Sequence, residues 1–178
     1  MKTALAVAAA LALAPLAARA DLGVRIGGDA TIAYHVQNQG TSVITDTWPL
    51  GADFMLSYWL PGQIVSIDAE IAEQFFASPR NADSSRIGTV FRPGFRVSPP
   101  IIPLYFRAAV PINFEQPAGQ GRERYDLRLG AGFNIPLVLF KIYLEGDADF
   151  PLGGGDVNVP SAFSNWALVF NAGVDFRF

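Results

Sequence analysis

The chain has no cysteine and one histidine, His35, among 178 residues. The missing cysteine excludes a disulfide framework and any thiolate metal site. Positive charge is also scarce. Beyond residue 20, eleven basic residues remain (thirteen less Lys2 and Arg19) against sixteen acidic ones, a net charge of −5 that argues against a nucleic-acid partner. No stretch after residue 20 reaches the roughly 18 apolar residues that a spanning helix needs. A membrane, if this chain enters one, must therefore be crossed by strands. No residue set asks for a cofactor, and none is expected.

The start of the chain is different in kind. Lys2 precedes the Ala/Leu-rich run Ala4 to Ala18, and Ala18-Arg19-Ala20 is a small-x-small cleavage pattern. Residues 1–20 read as a secretory signal peptide, because the apolar run is short for a span and strand pattern follows directly. Removing twenty of 178 residues leaves 158, from Asp21 to Phe178, which is the size of one domain.

What fills that domain is alternation. From Trp166 onward every even position is apolar (Trp166, Leu168, Phe170, Ala172, Val174, Phe176, Phe178), while Asn165, Asn171, Asp175 and Arg177 take odd ones. A two-residue period makes a strand with one apolar and one polar face. The run also supplies the roughly 9–11 residues of a tilted membrane-crossing strand. The same reading predicts strands over about Leu22–Val36, Trp48–Leu60, Ile64–Phe76, Ile87–Val97, Leu104–Phe114, Glu123–Asn134 and Val138–Phe150. Pro93-Gly94 interrupts the fourth of these, where a bulge is expected because proline cannot donate to a ladder.

Eight strands result, joined alternately by long polar connections and short ones carrying proline. That asymmetry predicts a closed, eight-stranded, antiparallel up-and-down transmembrane β-barrel, all-β, whose closure removes edges that hydrocarbon would not tolerate. With its terminal Phe176-Arg177-Phe178, the sequence resembles bacterial outer-membrane β-barrel proteins, and in size the OmpA/OmpX-type small barrels. The resemblance implies export through the periplasm, contact with outer-membrane lipid and lipopolysaccharide, and Phe176 and Phe178 as the signal read by the barrel assembly machinery. The placement of the long polar loops on one side points to a surface or envelope partner.

Alternation alone leaves open which face is outside, since a soluble lipocalin-like barrel alternates too. The polar face carries Arg25, Arg92, Arg96, Arg107, Arg124, Arg128, Lys141 and Arg177, with Asp29, Asp53, Asp68, Glu70, Asp126, Glu145, Asp147, Asp149 and Asp175. The central apolar face carries no charge, as a lipid face requires where Lys or Arg costs about 2–4 kcal/mol at the midplane. The aromatic side chains of the apolar face would also overfill so narrow a lumen. Turned inward, the charges are expected to pair across strands in a plugged lumen, since a lone buried charge costs several kcal/mol. Gly27, Gly88, Gly94, Gly130, Gly132 and Gly173 are expected to leave room for the arginines. A narrow solute or ion channel is the alternative reading.

Candidate chemistry is thin. His35, Ser42 and Asp46 hold the residue types of an acyl-transfer set, with His as base and Ser as nucleophile. They look loosely like the outer-membrane lipid A palmitoyltransferase, but the preceding amphipathic helix and apolar upper lumen of that family are missing. Gly153-Gly154-Gly155-Asp156 is one copy of a calcium-like Gly/Asp pattern and reads as a surface loop. Glu145, Asp147 and Asp149 share a face and read as ion-pair partners of the arginines, not metal ligands. Tyr34, Trp48, Tyr58, Phe114, Tyr125 and Trp166 fall near strand ends, as interfacial girdles do. The expectation is a non-enzymatic outer-membrane barrel with no catalytic, cofactor or metal site.

Overall fold

The structure, a computed structural model, describes residues 21–37, 39–43, 50–76, 86–114, 124–153 and 164–178. The expected leader, Asp46, Trp48, most of the Gly/Asp run and the side chain of Arg124 lie outside them. Ten strands follow in order: β1 Asp21–Val36, β2 Gly40–Val43, β3 Leu50–Trp59, β4 Val65–Phe76, β5 Arg86–Val97, β6 Leu104–Ala109, β7 Ile112–Asn113, β8 Arg124–Pro136, β9 Lys141–Gly153 and β10 Trp166–Arg177. All pairings are antiparallel, and β10 pairs with β1 from Gly23↔Arg177 upward, so the sheet closes. Among the described residues no helix is long and apolar enough to cross a membrane.

Ten ladder segments make eight walls. β6 and β7 are one wall, since both keep a single register against β8, with Ala109↔Arg128 below and Ile112↔Tyr125 above. The gap between them falls at Val110-Pro111, where proline has no N–H to give. β2 stands outside the ring. It pairs with Ala33–Val36 of β1 just where β3, whose register ends at Ala30↔Leu50, leaves off.

The structure corrects two expectations. β5 runs through Pro93-Gly94 without a bulge, in unbroken register with β4 from Val65↔Val97 to Phe76↔Arg86. Pro93 turns its carbonyl to β6, accepting from Val110 N at 2.9 Å, so its missing donor falls on the seam already thinned at Val110-Pro111. The register shifts lie elsewhere, between Thr31 and Ala33 in β1 and between Tyr125 and Asp126 against Pro151 of β9. A proline at a bulge removes no ladder bond that the bulge had not already disrupted. Finally, β8 extends through Pro136, so the β8–β9 turn is Leu137–Phe140 and contains no proline.

The faces sort by chemistry in the sense opposite to a soluble barrel. Leu22, Ile26, Leu56, Ile67, Phe95 and Phe106 are each about half exposed on the outer wall. Inside, Arg25, Arg92 and Arg96 are fully buried. A soluble barrel would hold the aliphatic set at its centre. Glu73, on the outer wall near the long-connection end of β4, accepts a hydrogen bond from Thr89 Oγ1 at 3.0 Å.

Candidate functional site

The lumen concentrates the polar chemistry of the molecule. Period two places Arg25 and Asp29 of β1, Asp53 and Ser57 of β3, Ser66, Asp68 and Glu70 of β4, and Arg92 and Arg96 of β5 on one inner surface. Arg107, Asp126, Arg128, Glu145, Asp147, Asn171 and Asp175 complete it from the other walls, and all of these are buried.

A single chain of alternating charges threads this surface. Asp68 meets Arg96 at 3.5 Å, and Arg96 meets Asp175 at 3.2 Å. Asp175 also binds Arg25 Nε at 3.0 Å, and Arg25 Nη1 reaches Glu145 at 3.2 Å. Glu145 passes to Arg107 at 3.3 Å, and Arg107 donates to Glu70. Glu70 accepts from Arg92 at 2.5 Å, and Arg92 closes on Asp29 at 2.6 Å. Asp175, Glu145 and Glu70 each serve two guanidiniums. Five of these eight contacts join walls that are not neighbours in the sheet, such as β5 with β10 and β1 with β9, so they brace the cylinder across its bore.

Five further charged members stand beside that chain. Arg128 forms a two-pronged pair with Asp149, both contacts at 2.7 Å, and lies 3.6 Å from Asp147. Asp147 accepts from Asn171. Asp53 accepts from the Tyr143 hydroxyl at 3.1 Å, and Asp126 from Asn113 at 3.1 Å. Arg177 sits at the rim instead, paired with Asp21 at 3.3 Å and lying over the Trp59 ring at 4.2 Å. Lys141 stands half-buried at the same rim, at the start of β9.

Counting charges alone passes over the aromatic part of the site. Arg25 lies between two tyrosine rings, 4.6 Å from the centre of Tyr105 and 4.3 Å from that of Tyr143. Arg96 lies 4.9 Å above Trp59. A guanidinium stacks on such faces while its edge donates in plane. Arg25 does both, adding bonds to the Tyr105 hydroxyl at 3.2 Å and Asn134 at 3.4 Å. Trp59, Tyr105 and Tyr143 all fall on the polar face by parity, which is their only signal in the sequence.

The glycines make room for these rings and for acids, not for arginines as expected. A Cβ on Gly27 would collide with the Tyr143 hydroxyl, and one on Gly132 with the Tyr105 ring. Gly130 lies beneath Asp147, and Gly51 beneath Asp29. Gly94 lies close against the backbone of Ala108 and Ala109 in the next wall.

His35 does not meet Ser42. Register pairs it with Thr41, whose hydroxyl is 3.0 Å from His35 Nδ1, while Ser42 stands opposite Tyr34 on the other face. The ring also stacks on Trp166 at 5.4 Å, a contact made when the β1 bulge brings His35 opposite that residue. Among the described residues no cluster of three or more acids, histidines or cysteines has the geometry to hold a metal ion. Phe176 packs on the outer wall against Phe140 at 5.8 Å, and Phe178 donates its backbone N–H to Leu22 at 2.9 Å.

No protein-family model matches the chain, and no curated protein matches it. Solved structures do. Neisserial surface protein A shares 10% identity at a TM-score of 0.54, over 88% of this chain and 97% of that one. Ail, the attachment invasion locus protein of Yersinia pestis, was solved with the heparin analogue sucrose octasulfate. It shares 13% identity at 0.51, over 90% of this chain and 99% of its own. At such identity what is shared is architecture, and the chain has the closed eight-stranded fold of small outer-membrane β-barrels.

Proposed function

We propose that this chain is an integral outer-membrane barrel, exported behind a leader spanning residues 1–20, with a lumen closed to solutes and a structural or surface-interaction role. The observation that carries this reading is the pairing of an apolar outer wall with a lumen crossed by one continuous Arg/carboxylate chain from Asp68 to Asp29. Five buried guanidiniums, two tyrosine rings and an indole fill the bore of a cylinder only just wide enough for side chains. What such a barrel offers other molecules is its outer wall, to lipid and lipopolysaccharide, and its long connections, to a surface or envelope partner. The role is non-enzymatic, because His35 is engaged by Thr41 and Trp166 and does not face Ser42.

Planar-bilayer recording of the purified, refolded protein tests this. The expected result is a flat trace at all voltages. Reproducible single-channel steps in the wild type, abolished by Arg128→Ala, would establish the channel reading instead. If the trace is flat, shortening the four long connections should remove any envelope phenotype that lumen variants retain. The reverse pattern would overturn the surface role.

A further inference from the structure

We infer that one side of the barrel's turn end is itself a lipid-binding surface. The Ser98–Pro103 and Leu137–Phe140 turns enter the headgroup–acyl boundary of the periplasmic leaflet and seat the barrel at a tilt. This rests on the membrane reading above.

Each turn holds apolar side chains where they cannot fold back. In the β8–β9 turn, Leu137 N–H donates to the Phe140 carbonyl at 2.8 Å, which leaves Val138 and Leu139 at its two central positions. They are 99% and 83% exposed. Central turn positions that face water are usually Gly, Asn, Asp or Ser, because the backbone needs their conformations and water favours their polarity. In the β5–β6 turn, Pro99, Pro100 and Pro103 stiffen the chain, and the Pro103 carbonyl is pinned by Asn134 N–H at 2.8 Å. Ile101 between them is 93% exposed.

The two turns flank one pair of neighbouring walls, β6 and β8. On those walls the lipid-facing side chains Leu104, Phe133 and Ile135 run down to the turns, so on the outer wall the apolar belt continues past the strand ends, while Asn134, Lys141 and Arg177 line the mouth of the bore. Neither turn carries a charge. The other side of the same end differs. The β3–β4 turn has Gly62 and Gln63 at its tip, and Gln63, Asp21 and Arg177 form a polar group there. A docking surface for a protein would have a polar margin. This patch instead merges with the belt, which suits acyl chains. The boundary depth suits the backbone too, since turn carbonyls still reach water and headgroups.

The chain has no cysteine, so single-cysteine variants can carry a spin label without other changes. In the full protein refolded into phosphatidylcholine vesicles, Ile101→Cys and Val138→Cys are measured for collision with oxygen, which concentrates in hydrocarbon, and with a water-soluble nickel chelate. Phe133→Cys reports the belt and Gln63→Cys the opposite turn. Ile102→Cys and Leu139→Cys repeat the measurement should either first variant fail to fold. The expected result is an oxygen-to-chelate ratio several-fold higher at positions 101 and 138 than at 63, approaching that at 133. Ratios at 101 and 138 matching 63, with 133 still deep, would overturn the proposal and leave the membrane reading standing. A water-like ratio at 133 would overturn both.

Discussion

The lumen is built in two halves that bury the same ion by different means. Toward the turn end, Arg25 and Arg96 lie on the faces of Tyr105, Tyr143 and Trp59 and share Asp175. Toward the long connections, Arg92, Arg107 and Arg128 are held by carboxylates: Asp29, Glu70, Glu145, Asp147 and Asp149. Among the described residues eight buried carboxylates stand against five buried guanidiniums, and the surplus lies mainly in the second half. Rings solvate a guanidinium from above and below, so few anions suffice. Without rings the carboxylates must hold the cation alone, and among the described residues Arg92 Nε, Arg107 Nε and Arg128 Nη1 have no hydrogen-bond partner.

The largest expected effect comes from breaking the ring-clad half. Arg25→Ala removes one cation from two shared carboxylates, Asp175 and Glu145, and opens a gap between two tyrosine rings. Breaking a buried pair from one side costs about 3–5 kcal/mol, and although Arg96 and Arg107 still hold the two acids, the lumen is left with one more uncompensated buried negative charge. Urea unfolding of the refolded barrel in vesicles should show a loss of that size. Arg25→Lys should recover only part of it, since an ammonium keeps the charge but not the planar stack. A loss below about 1 kcal/mol for Arg25→Ala would mean that the ring sandwich carries little of the lumen's stability.

Two glycines divide along the same line between tight and open surroundings. Gly132→Ala places a methyl group against the Tyr105 ring and the Leu144 carbonyl, neither of which can swing away freely. Overpacking of this kind costs about 1–3 kcal/mol. On the outer wall, a methyl group at Gly146 would have no other atom within 4 Å, and Gly146→Ala should leave stability unchanged. Equal midpoints for the two variants would show that the tight fit at Tyr105 is not what holds the lower lumen.

Much of this was legible in the chain because a strand has the simplest of codes. Parity alone separated Leu56 from Ser57 and Leu144 from Glu145, and with the charges it separated inside from outside. Parity fails where a residue is inserted. The β1 bulge between Thr31 and Ala33 brings His35 against Trp166, although the unshifted pattern places them on opposite faces. Proline misled in the other direction. Pro93 signals a break, but the lost donor falls on the β5–β6 seam and leaves the β4 register intact. Pairing partners were out of reach altogether. Arg25 meeting Glu145 and Tyr105 depends on which walls face each other across the bore, and alternation along one strand contains no such information.

The smallest effect tests whether Asp53 acts as a charge or only as an acceptor. Tyr143 of β9 reaches over Gly27 of β1 to donate to Asp53 of β3, and the second carboxylate oxygen has no hydrogen-bond partner. Asp53→Asn keeps the oxygen that Tyr143 needs and replaces the unpartnered one with an amide. It also removes one charge from a lumen with surplus acid. The expected change in unfolding free energy is therefore within about 1 kcal/mol, the net worth of an ordinary hydrogen bond. Tyr143→Phe should cost more, about 1–3 kcal/mol, because it strands the buried carboxylate and takes away nothing else. If Asp53→Asn proved the more damaging of the two, the negative charge itself would be holding the arginines. Ring solvation would then be too weak to explain the lower lumen, and long-range attraction from an acid bonded to a tyrosine would have to share the work.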